Sequence, residues 1–394
     1  MNDIKAQFPI FKTKPNLVYL DSASTTQKPK VVLEQIQNYY ENRNANVHRG
    51  LYPLAEEATE TFESSRLAVA RFLNVEKEEV IFNSGTTEGL NLLAESLLRS
   101  SVISADDVCV VTELEHHSNL LPWRRIFSKV NYLEVDENGD LLPDWDEKLK
   151  TLNPKLIALS HASNVTGAVH PIKKIREICP NAIIVLDIAQ SIAHMKVDLK
   201  DLDVDAAAFS GHKLYAPMGI GALVVKKSLL EKLEPFKVGG GMIREVKKDE
   251  IVWDEIPSKF EAGTPNVEGA SGLARAIKFI EEIGFEMISE IEEELTFDLM
   301  LELKGIEDLR IFHSNTGVGV VSFYHEKVHP HDIAQYLGDH GVCVRAGHHC
   351  TQVLHRDVLK VPATVRVSFG VYNSSEEVTK FAELLRDSLE FFQK

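Results

Sequence analysis

The sequence predicts an α/β fold in which helices cover both faces of a mostly parallel sheet. Between about residues 80 and 225, short apolar runs typical of buried strands alternate with segments of helical periodicity. Two of these runs end on polar side chains, since Asp187 follows residues 182–186 and Ser210 follows residues 206–209. Ligand-binding groups collect at the carboxyl ends of parallel strands, where α/β sheets open a crevice. We therefore expect a ligand site at that edge of the sheet.

The pattern changes after the last of these runs, which indicates a second, smaller α+β domain. Glycines 239–241 and the polar span after them are predicted to form a mobile loop. A helix-rich segment, two strand-like runs and a final helix follow. We expect a large α/β domain over residues 21–280 and a small domain made of residues 1–20 and 281–394.

The composition is that of an ordinary globular protein and limits the classes of function. The 394 residues carry a formal net charge of −16, which argues against a general nucleic-acid binder, because such proteins neutralise phosphates with a basic surface. No apolar run resembles a signal peptide or a membrane span. Four cysteines are too few for a disulfide framework in a chain of this length. We therefore expect a cytoplasmic protein that binds neither nucleic acid nor a membrane.

Lys213 has the most informative position in the chain. It lies just after the run that ends at Ser210, and burial can lower the pKa of such a lysine and free its amine for a Schiff base. If the carbonyl belongs to pyridoxal phosphate, Asp187 can hold the ring nitrogen, while Ser210 and His212 can hold the phosphate. A surface lysine and a turn aspartate are the alternative. The S-x-x-K motif, which carries the nucleophilic serine of penicillin-interacting enzymes, also fits residues 210–213, but its companion strings S-D-N and K-T-G are missing.

Three further strand ends carry polar side chains. Thr86 and Thr87 lie between a strand and a helix, where hydroxyl and N–H groups can bind a phosphate or simply cap the helix. His116, which precedes His117, can stack on a planar ring or bind a metal with ligands from elsewhere. Asn164 follows another buried strand and can contact a ring substituent. These residues alone leave both readings open for the threonines and for the histidines.

A series of short strings carries a family resemblance. In chain order they are DSASTTQKP, VHRG, SGTTEG, EHHSN, SHASNVTG, LDIAQS, FSGHKLYAPMGIG, GGGMI, FEAGTPN and RAGHHC. In these strings the chain resembles the SUF-type cysteine desulfurases, which belong to the class V aminotransferase group of pyridoxal-phosphate enzymes. The resemblance runs from about residue 8 to the C-terminus. It implies fold type I, with a mostly parallel seven-stranded sheet in the large domain.

The resemblance also implies a role for each matching residue. Lys213, His116 and Cys350 would be catalytic, with Lys213 forming the Schiff base and Cys350 receiving sulfur as a persulfide. The substrate would be L-cysteine and the product L-alanine. The cofactor, pyridoxal 5′-phosphate, would be held by Thr86, Thr87, His116, Asp187, Gln190, Ser210, His212, Lys213 and, from a second subunit, Thr264. The substrate pocket would be lined by His48, Asn164, Arg345 and Arg366.

Partners follow from the same resemblance. It implies a homodimer, because Thr264 would complete the opposite site. It also implies a sulfur-acceptor protein of iron–sulfur cluster assembly, because persulfide sulfur is too reactive to release freely. No metal site is expected. The chain departs from the family strings at Ser84, where arginine is common, at LYPLA, where a histidine is missing, and at TQVLH after Cys350, where strings such as AQPLM are common. The changes at Ser84 and TQVLH bear on the cysteine loop or the partner surface, and the LYPLA change bears on the pocket mouth.

Other functions stay open from the sequence. A selenocysteine lyase would use the same fold and residues on a selenium substrate, and a transaminase-like or kynureninase-like reaction would not need Cys350. A non-catalytic metal-binding scaffold is an alternative from a different class. It would use His329, His331, His348, His349 and Cys350, but no C-x-x-C or regular H-x-x-x-H spacing supports it.

Overall fold

The computed structural model describes residues 2–393. The strands are β1 (Val18–Tyr19), β2 (Val80–Asn83), β3 (Cys109–Thr112), β4 (Val130–Leu133), β5 (Leu156–Ser160), β6 (Ile183–Asp187), β7 (Ala206–Ser210), β8 (Gly221–Val225), β9 (Ile243–Val246), β10 (Ile251–Trp253), β11 (Leu309–Phe312), β12 (Val320–His325), β13 (Val342–Cys343), β14 (Arg345–Gly347) and β15 (Thr364–Ser368).

The helices alternate with the strands through most of the chain. They are α1 (Asn2–Lys5), α2 (Pro9–Thr13), α3 (Lys30–Asn42), α4 (Pro53–Leu73), α5 (Thr86–Arg99), α6 (His117–Ile126), α7 (Trp145–Leu152), α8 (Ile172–Ile178), α9 (Ser191–His194), α10 (Lys227–Leu230), α11 (Val267–Ile283), α12 (Phe285–Leu303), α13 (Pro330–Asp339) and α14 (Ser375–Gln393). A short 3-10 turn covers Gly211–Lys213, and a π-helix covers Leu354–Leu359.

The large sheet has seven strands in the order β2-β8-β7-β6-β5-β3-β4. Neighbouring strands from β7 to β4 are parallel, whereas β8 is antiparallel to both β7 and β2. The α/β fold with a mostly parallel seven-stranded sheet is therefore confirmed. Because β2, β3, β5, β6 and β7 run in one direction, their carboxyl ends meet at one edge, as expected for a ligand site.

The large sheet is buried on both faces. Every residue of β3, β5 and β7 is buried. Ile184 and Leu186 of β6 pack into one core with α3, α4 and α11, whereas Val185 packs into a second core with α5 and α6. Successive side chains of a strand point to opposite faces, so continuous apolar runs produce two cores. Among residues 2–393, no helix is both long and apolar enough to cross a membrane.

A smaller antiparallel sheet has the order β11-β12-β15-β14. Arg345 of β14 lies opposite Arg366 of β15, and α12, α13 and α14 pack with this sheet around a separate core. The N-terminal strand β1 pairs with β13, and Asp21 forms an isolated bridge with Ser368. The early part of the chain is thus joined to the late part. The domain boundaries near residues 20 and 280 stay a prediction.

The segment after glycines 239–241 is not an irregular loop. It contains the antiparallel hairpin of β9 and β10, in which Ile251 lies opposite Val246. The prediction of loop structure was wrong here because the hairpin buries little of its surface against the rest of the protein. Most side chains of β9 are exposed, so the sequence carries no alternation of apolar and polar residues.

Phe8 is the centre of an aromatic cluster that joins distant parts of the chain, and its mutation tests the importance of that cluster. Its ring is fully buried and lies 4.9 Å from Tyr372 and 5.7 Å from Phe279, measured between ring centroids. Phe8→Ala should lower the free energy of unfolding by about 3–5 kcal/mol, because the cavity cannot fully collapse. The denaturant midpoint measures this. The control is Phe297→Ala, at a side chain that is 64% exposed. Equal shifts for the two variants would contradict the prediction.

Candidate active site

A cavity of about 190 Å³ lies at the carboxyl edge of the large sheet. It brings together most of the predicted site residues, since its lining includes Thr86, Thr87, His116, Asn164, Asp187, Gln190, Ser210, His212, Lys213, Arg345 and Arg366. The first nine follow strands of the large sheet, and the two arginines come from the small sheet. The cavity therefore lies between the two sheets.

Lys213 ends the 3-10 turn that follows β7, and its environment favours a reactive amine. Burial lowers the pKa of Lys213 to about 8, with Arg366 and Arg345 acting in the same direction. Asp187 opposes this by attracting the ammonium group. A neutral amine is thus populated near physiological pH, as a nucleophile or base requires.

Asp187 ends β6 and is 6% exposed. Burial raises its pKa to about 6, Glu115 acts in the same direction, and Lys213 lowers it. The carboxylate is therefore ionised at neutral pH. Its Oδ1 accepts a hydrogen bond from the backbone N–H of Ala189 at 2.9 Å, which holds the group at the floor of the cavity.

Glu115 is a buried carboxylate that the sequence analysis did not include in the site. It accepts hydrogen bonds from the Thr112 hydroxyl, the Asn119 amide, and both the N–H and the hydroxyl of Ser160. These contacts join the ends of β3 and β5 to the first turn of α6. Glu115 thereby fixes the segment that carries His116. In the sequence, nothing distinguishes Glu115 from a solvent-exposed acidic residue, although it directly precedes two histidines.

His116 caps α6, and its Nδ1 accepts a hydrogen bond from the N–H of Ser118 at 3.1 Å. The ring proton therefore lies on Nε2. Burial and the nearby Lys213 lower the pKa of His116 to about 3. The family resemblance gives His116 a catalytic role. In this structure His116 is neutral at physiological pH and offers an N–H donor and a flat ring to the cavity.

The N-terminus of α5 and Ser210 form one end of the cavity. The N–H and the hydroxyl of Thr86 both lie 2.9 Å from Ser210 Oγ, and Thr87 contacts Ser118. Gly85 permits this close packing, since a Cβ there would lie 2.7 Å from Ser210 Oγ and its φ is +140°. His212 contributes a buried Nδ1 that has no hydrogen-bond partner. The N-terminus of α5 and the unpartnered Nδ1 of His212 thus belong to the same cavity, and the positive end of a helix dipole suits an anion.

The opposite end of the cavity contains Arg366, whose side chain is fully buried. Its guanidinium donates to Asp21 at 3.0 Å, to Ser24 at 2.7 Å and to the carbonyl of Asn164 at 3.0 Å. Its Nε has no partner. Arg345 donates to the same Ser24 hydroxyl at 3.3 Å. Asp21 and Ser24 were missed as site residues, although both lie in the DSASTT string that carries the resemblance.

Cys350 lies in the loop after β14 and is not part of the cavity lining, but it contacts Arg345, which is. Its Sγ is 3.9 Å from a terminal nitrogen of Arg345. The loop backbone is fixed by two contacts, because His117 N–H donates to the Cys350 carbonyl and the Asn164 amide donates to the His349 carbonyl, each at 2.8 Å. The amide of Asn164 is thus used for the loop. His117 is a further residue that the sequence analysis did not assign.

His48 and Thr264 lie together elsewhere. They line a separate cavity of about 280 Å³, which also includes Arg49, Gly240 and Gly241. A single chain therefore does not bring them to Lys213. Glu261, close to Thr264 in sequence, is paired with the buried Arg66 at 2.6 Å, and this pair fixes the FEAGTPN segment.

The cysteines and histidines were also considered as metal ligands. Within the described part of the chain, no group of three or more His, Cys, Asp or Glu residues is placed to hold a metal ion. All four cysteines are free. The non-catalytic metal scaffold therefore gains no support from the geometry.

The chain is similar to known proteins over almost its whole length. The family model described as Aminotransferase class-V matches residues 18–381. A probable cysteine desulfurase of Halalkalibacterium halodurans is 42% identical over 401 residues, covering 99% of this chain and 98% of the relative. A probable cysteine desulfurase of Staphylococcus aureus is 41% identical over 406 residues, covering 100% of this chain and 97% of the relative.

Two solved structures are similar over almost the whole chain. The apo cysteine desulfurase from Thermococcus onnurineus NA1 has a TM-score of 0.94 and 38% identity, covering 99% of this chain and 98% of that one. The cysteine desulfurase CsdA (S-sulfonic acid) from Escherichia coli has a TM-score of 0.90 and 32% identity, with the same coverage.

Asp187→Asn should lower the pKa of Lys213 below about 8, because burial and the two arginines remain while the attracting carboxylate is lost. The neutral amine would then be more populated at pH 7. Competitive acetylation of amines across a pH series, read on the Lys213 peptide by mass spectrometry, measures the midpoint, with the exposed Lys232 as internal reference. A midpoint that stays the same or rises would contradict the role of Asp187.

Proposed function

We propose that this chain, which belongs to the class V aminotransferase family, is a pyridoxal-phosphate-dependent cysteine desulfurase. It would convert L-cysteine to L-alanine and take up the sulfur as a persulfide on Cys350. The observation that carries the proposal is the Cys350 thiol beside Arg345, because Arg345 lines the cavity together with Lys213 and Asp187. A transaminase-like reaction needs the amine and the carboxylate but has no use for the thiol. Full-length relatives named cysteine desulfurase support the same reaction.

The residues present fit pyridoxal phosphate, on which the class V aminotransferase and cysteine desulfurase families depend. The α5 N-terminus, Ser210 and the unpartnered Nδ1 of His212 would hold the phosphate. Asp187 would pair with the ring nitrogen, Gln190 would contact the ring hydroxyl, and the flat ring of His116 would stack on the cofactor. When bound, the cofactor supplies an electron-withdrawing ring that stabilises negative charge at the substrate Cα.

Lys213 would move the proton from the substrate Cα. Its pKa of about 8 leaves a neutral amine available and also lets the amine keep a proton once it has accepted one. Asp187 stabilises that ammonium form from the floor of the cavity. His116 stays neutral, so its Nε2 can donate a hydrogen bond without adding positive charge beside Lys213.

Arg366 and Arg345 would bind the substrate carboxylate. Two guanidinium groups share the Ser24 hydroxyl, while Asp21 balances one of the two charges. The free Nε of Arg366 adds a donor. This anchoring would place the substrate Cβ–S group towards the Cys350 loop, which contacts Arg345 from the same side.

The sulfur step would join two sulfur atoms. Cys350 Sγ, as a thiolate, attacks the substrate sulfur, so that an S–S bond forms and the Cβ–S bond breaks. The electron pair of the broken bond goes to the substrate carbon, which takes up a proton and leaves as L-alanine. A persulfide remains on Cys350, ready for a protein acceptor of iron–sulfur cluster assembly.

A second copy of the chain is part of the proposal. His48 and Thr264 share a cavity away from Lys213, which fits residues that serve the partner's site. Leu51 and Tyr52, close to His48, are 98% and 49% exposed, and such apolar side chains suit a subunit interface. We also propose a reducing, cytoplasmic location, which would keep Cys350 as a free thiol.

The reaction can be tested directly. Purified protein with L-cysteine and no reductant should form alanine and gain one sulfur on Cys350, located by peptide mass spectrometry. Lys213→Ala should lose both products, and Cys350→Ser should lose the bound sulfur. A yellow protein that forms no persulfide on Cys350 would contradict the desulfurase mechanism but would still support pyridoxal phosphate as the cofactor. A faster reaction with L-selenocysteine than with L-cysteine would favour a selenocysteine lyase.

Arg366→Met should lower kcat/KM for L-cysteine about 10- to 100-fold, since a hydrogen bond to a charged group contributes about 1.5–3 kcal/mol. A matched control is Arg356→Met, at an exposed arginine in the π-helix. Steady-state alanine formation measures both variants, and the cofactor spectrum confirms that the site is loaded. If kcat/KM for L-cysteine falls equally in the two variants, Arg366 does not bind the substrate carboxylate.

A further inference from the structure

We propose that His355 is a positioning residue that fastens the Cys350 loop to β15, the strand that carries Arg366, and thereby sets where the thiol meets the substrate. This inference rests on the proposed function, because it takes Cys350 as the sulfur acceptor. His355 lies in the π-helix that follows the loop, and its side chain is fully buried. π-Helices are rare and frequently occur at functional sites.

The imidazole of His355 bridges the loop and the strand. Its Nδ1 lies 3.0 Å from the carbonyl oxygen of Thr351, the residue after Cys350. Its Nε2 lies 3.0 Å from the Thr364 hydroxyl in β15. The same hydroxyl lies 2.9 Å from Nε2 of His349, the residue before Cys350. Both chain neighbours of the thiol are thus connected to one point on β15.

The hydrogen-bonding capacities fix the direction of this chain of contacts. A carbonyl only accepts, so Nδ1 of His355 carries the proton and its Nε2 accepts from the Thr364 hydroxyl. Thr364 has one proton to give, and therefore accepts from Nε2 of His349. Burial lowers the pKa of His355 to about 4 and that of His349 well below its usual range, so both rings are neutral at physiological pH.

The point of attachment matters because of its place on β15. Thr364 and Arg366 are separated by one residue, so their side chains lie on the same face of the strand. The group that would bind the substrate carboxylate and the group that holds the thiol loop therefore share one rigid element. The distance between substrate sulfur and thiol then depends on this strand rather than on a free loop.

The loop needs such a fastening because its backbone is strained. His349 and Cys350 have φ values of +49° and +61°, a region that residues with a Cβ rarely adopt. Asn164 and His117 hold the two carbonyls of this turn from outside. His355 is the side chain that holds it from the following helix, in the TQVLH segment where the chain departs from the family strings.

Hydrogen exchange on the full-length holoenzyme tests the proposal. In His355→Met, which keeps the volume and loses both hydrogen bonds, the amides of residues 349–356 should exchange about five- to thirtyfold faster. Thr364→Val removes the shared hydroxyl and should do the same. His355→Asn keeps a donor near the position of Nδ1 and should give an intermediate rate. In a single turnover, sulfur capture on Cys350 should slow in the same order, with an unchanged cofactor spectrum.

The matched control is His325→Met. His325 is also buried, and its Nδ1 accepts from the N–H groups of Lys327 and Val328, but it lies at the end of β12. Its replacement should leave exchange at residues 349–356 unchanged. The proposal that His355 fastens the loop would be wrong if hydrogen exchange at residues 349–356 is unaltered in both His355→Met and Thr364→Val. It would also be wrong if His325→Met accelerates that exchange equally. If the unmodified protein places no sulfur on Cys350, the proposed function fails, while the exchange rates still decide the role of His355.

Discussion

Parallel strands that end at one edge of a sheet are the constraint on which this molecule depends. Asp187, Lys213, Ser160 and Thr86 are far apart in the chain, and each lies at or shortly after the carboxyl end of a different strand. The edge includes the N-terminus of α5, whose dipole favours an anionic ligand without an added basic surface. This small cavity occurs in a protein whose formal net charge is −16.

The second sheet adds what the first cannot supply. Its antiparallel pairing sets Arg345 opposite Arg366, and the turn after β14 carries the thiol. Opposing electrostatic effects meet at Lys213, because burial and two arginines favour the neutral amine while Asp187 favours the ammonium form. The resulting pKa of about 8 lies where an amine can both accept and release a proton.

The sequence was most informative where one residue decides the local structure. Continuous apolar runs predicted the large sheet, and the polar residues that end them predicted Asp187 and Ser210. Side-chain direction was harder. Asn164 lines the cavity, but its side-chain amide donates to a carbonyl of the Cys350 loop. His48 and Thr264 share another cavity. Glu115 was missed because its burial depends on two hydrogen bonds from Ser160, which is 45 residues away in the chain, and no local pattern records such a contact.

The pairing of β1 with β13 has a consequence for how the protein is made. A ribosome releases the N-terminal residues first, but Val18 and Tyr19 find their strand partners only at Val342 and Cys343. Asp21 likewise contacts Arg366 and bridges Ser368. The parallel sheet can form while synthesis continues, whereas Cys350, Arg345 and Arg366 are translated near the end. A nascent chain therefore cannot complete the cavity until almost all of it has been translated.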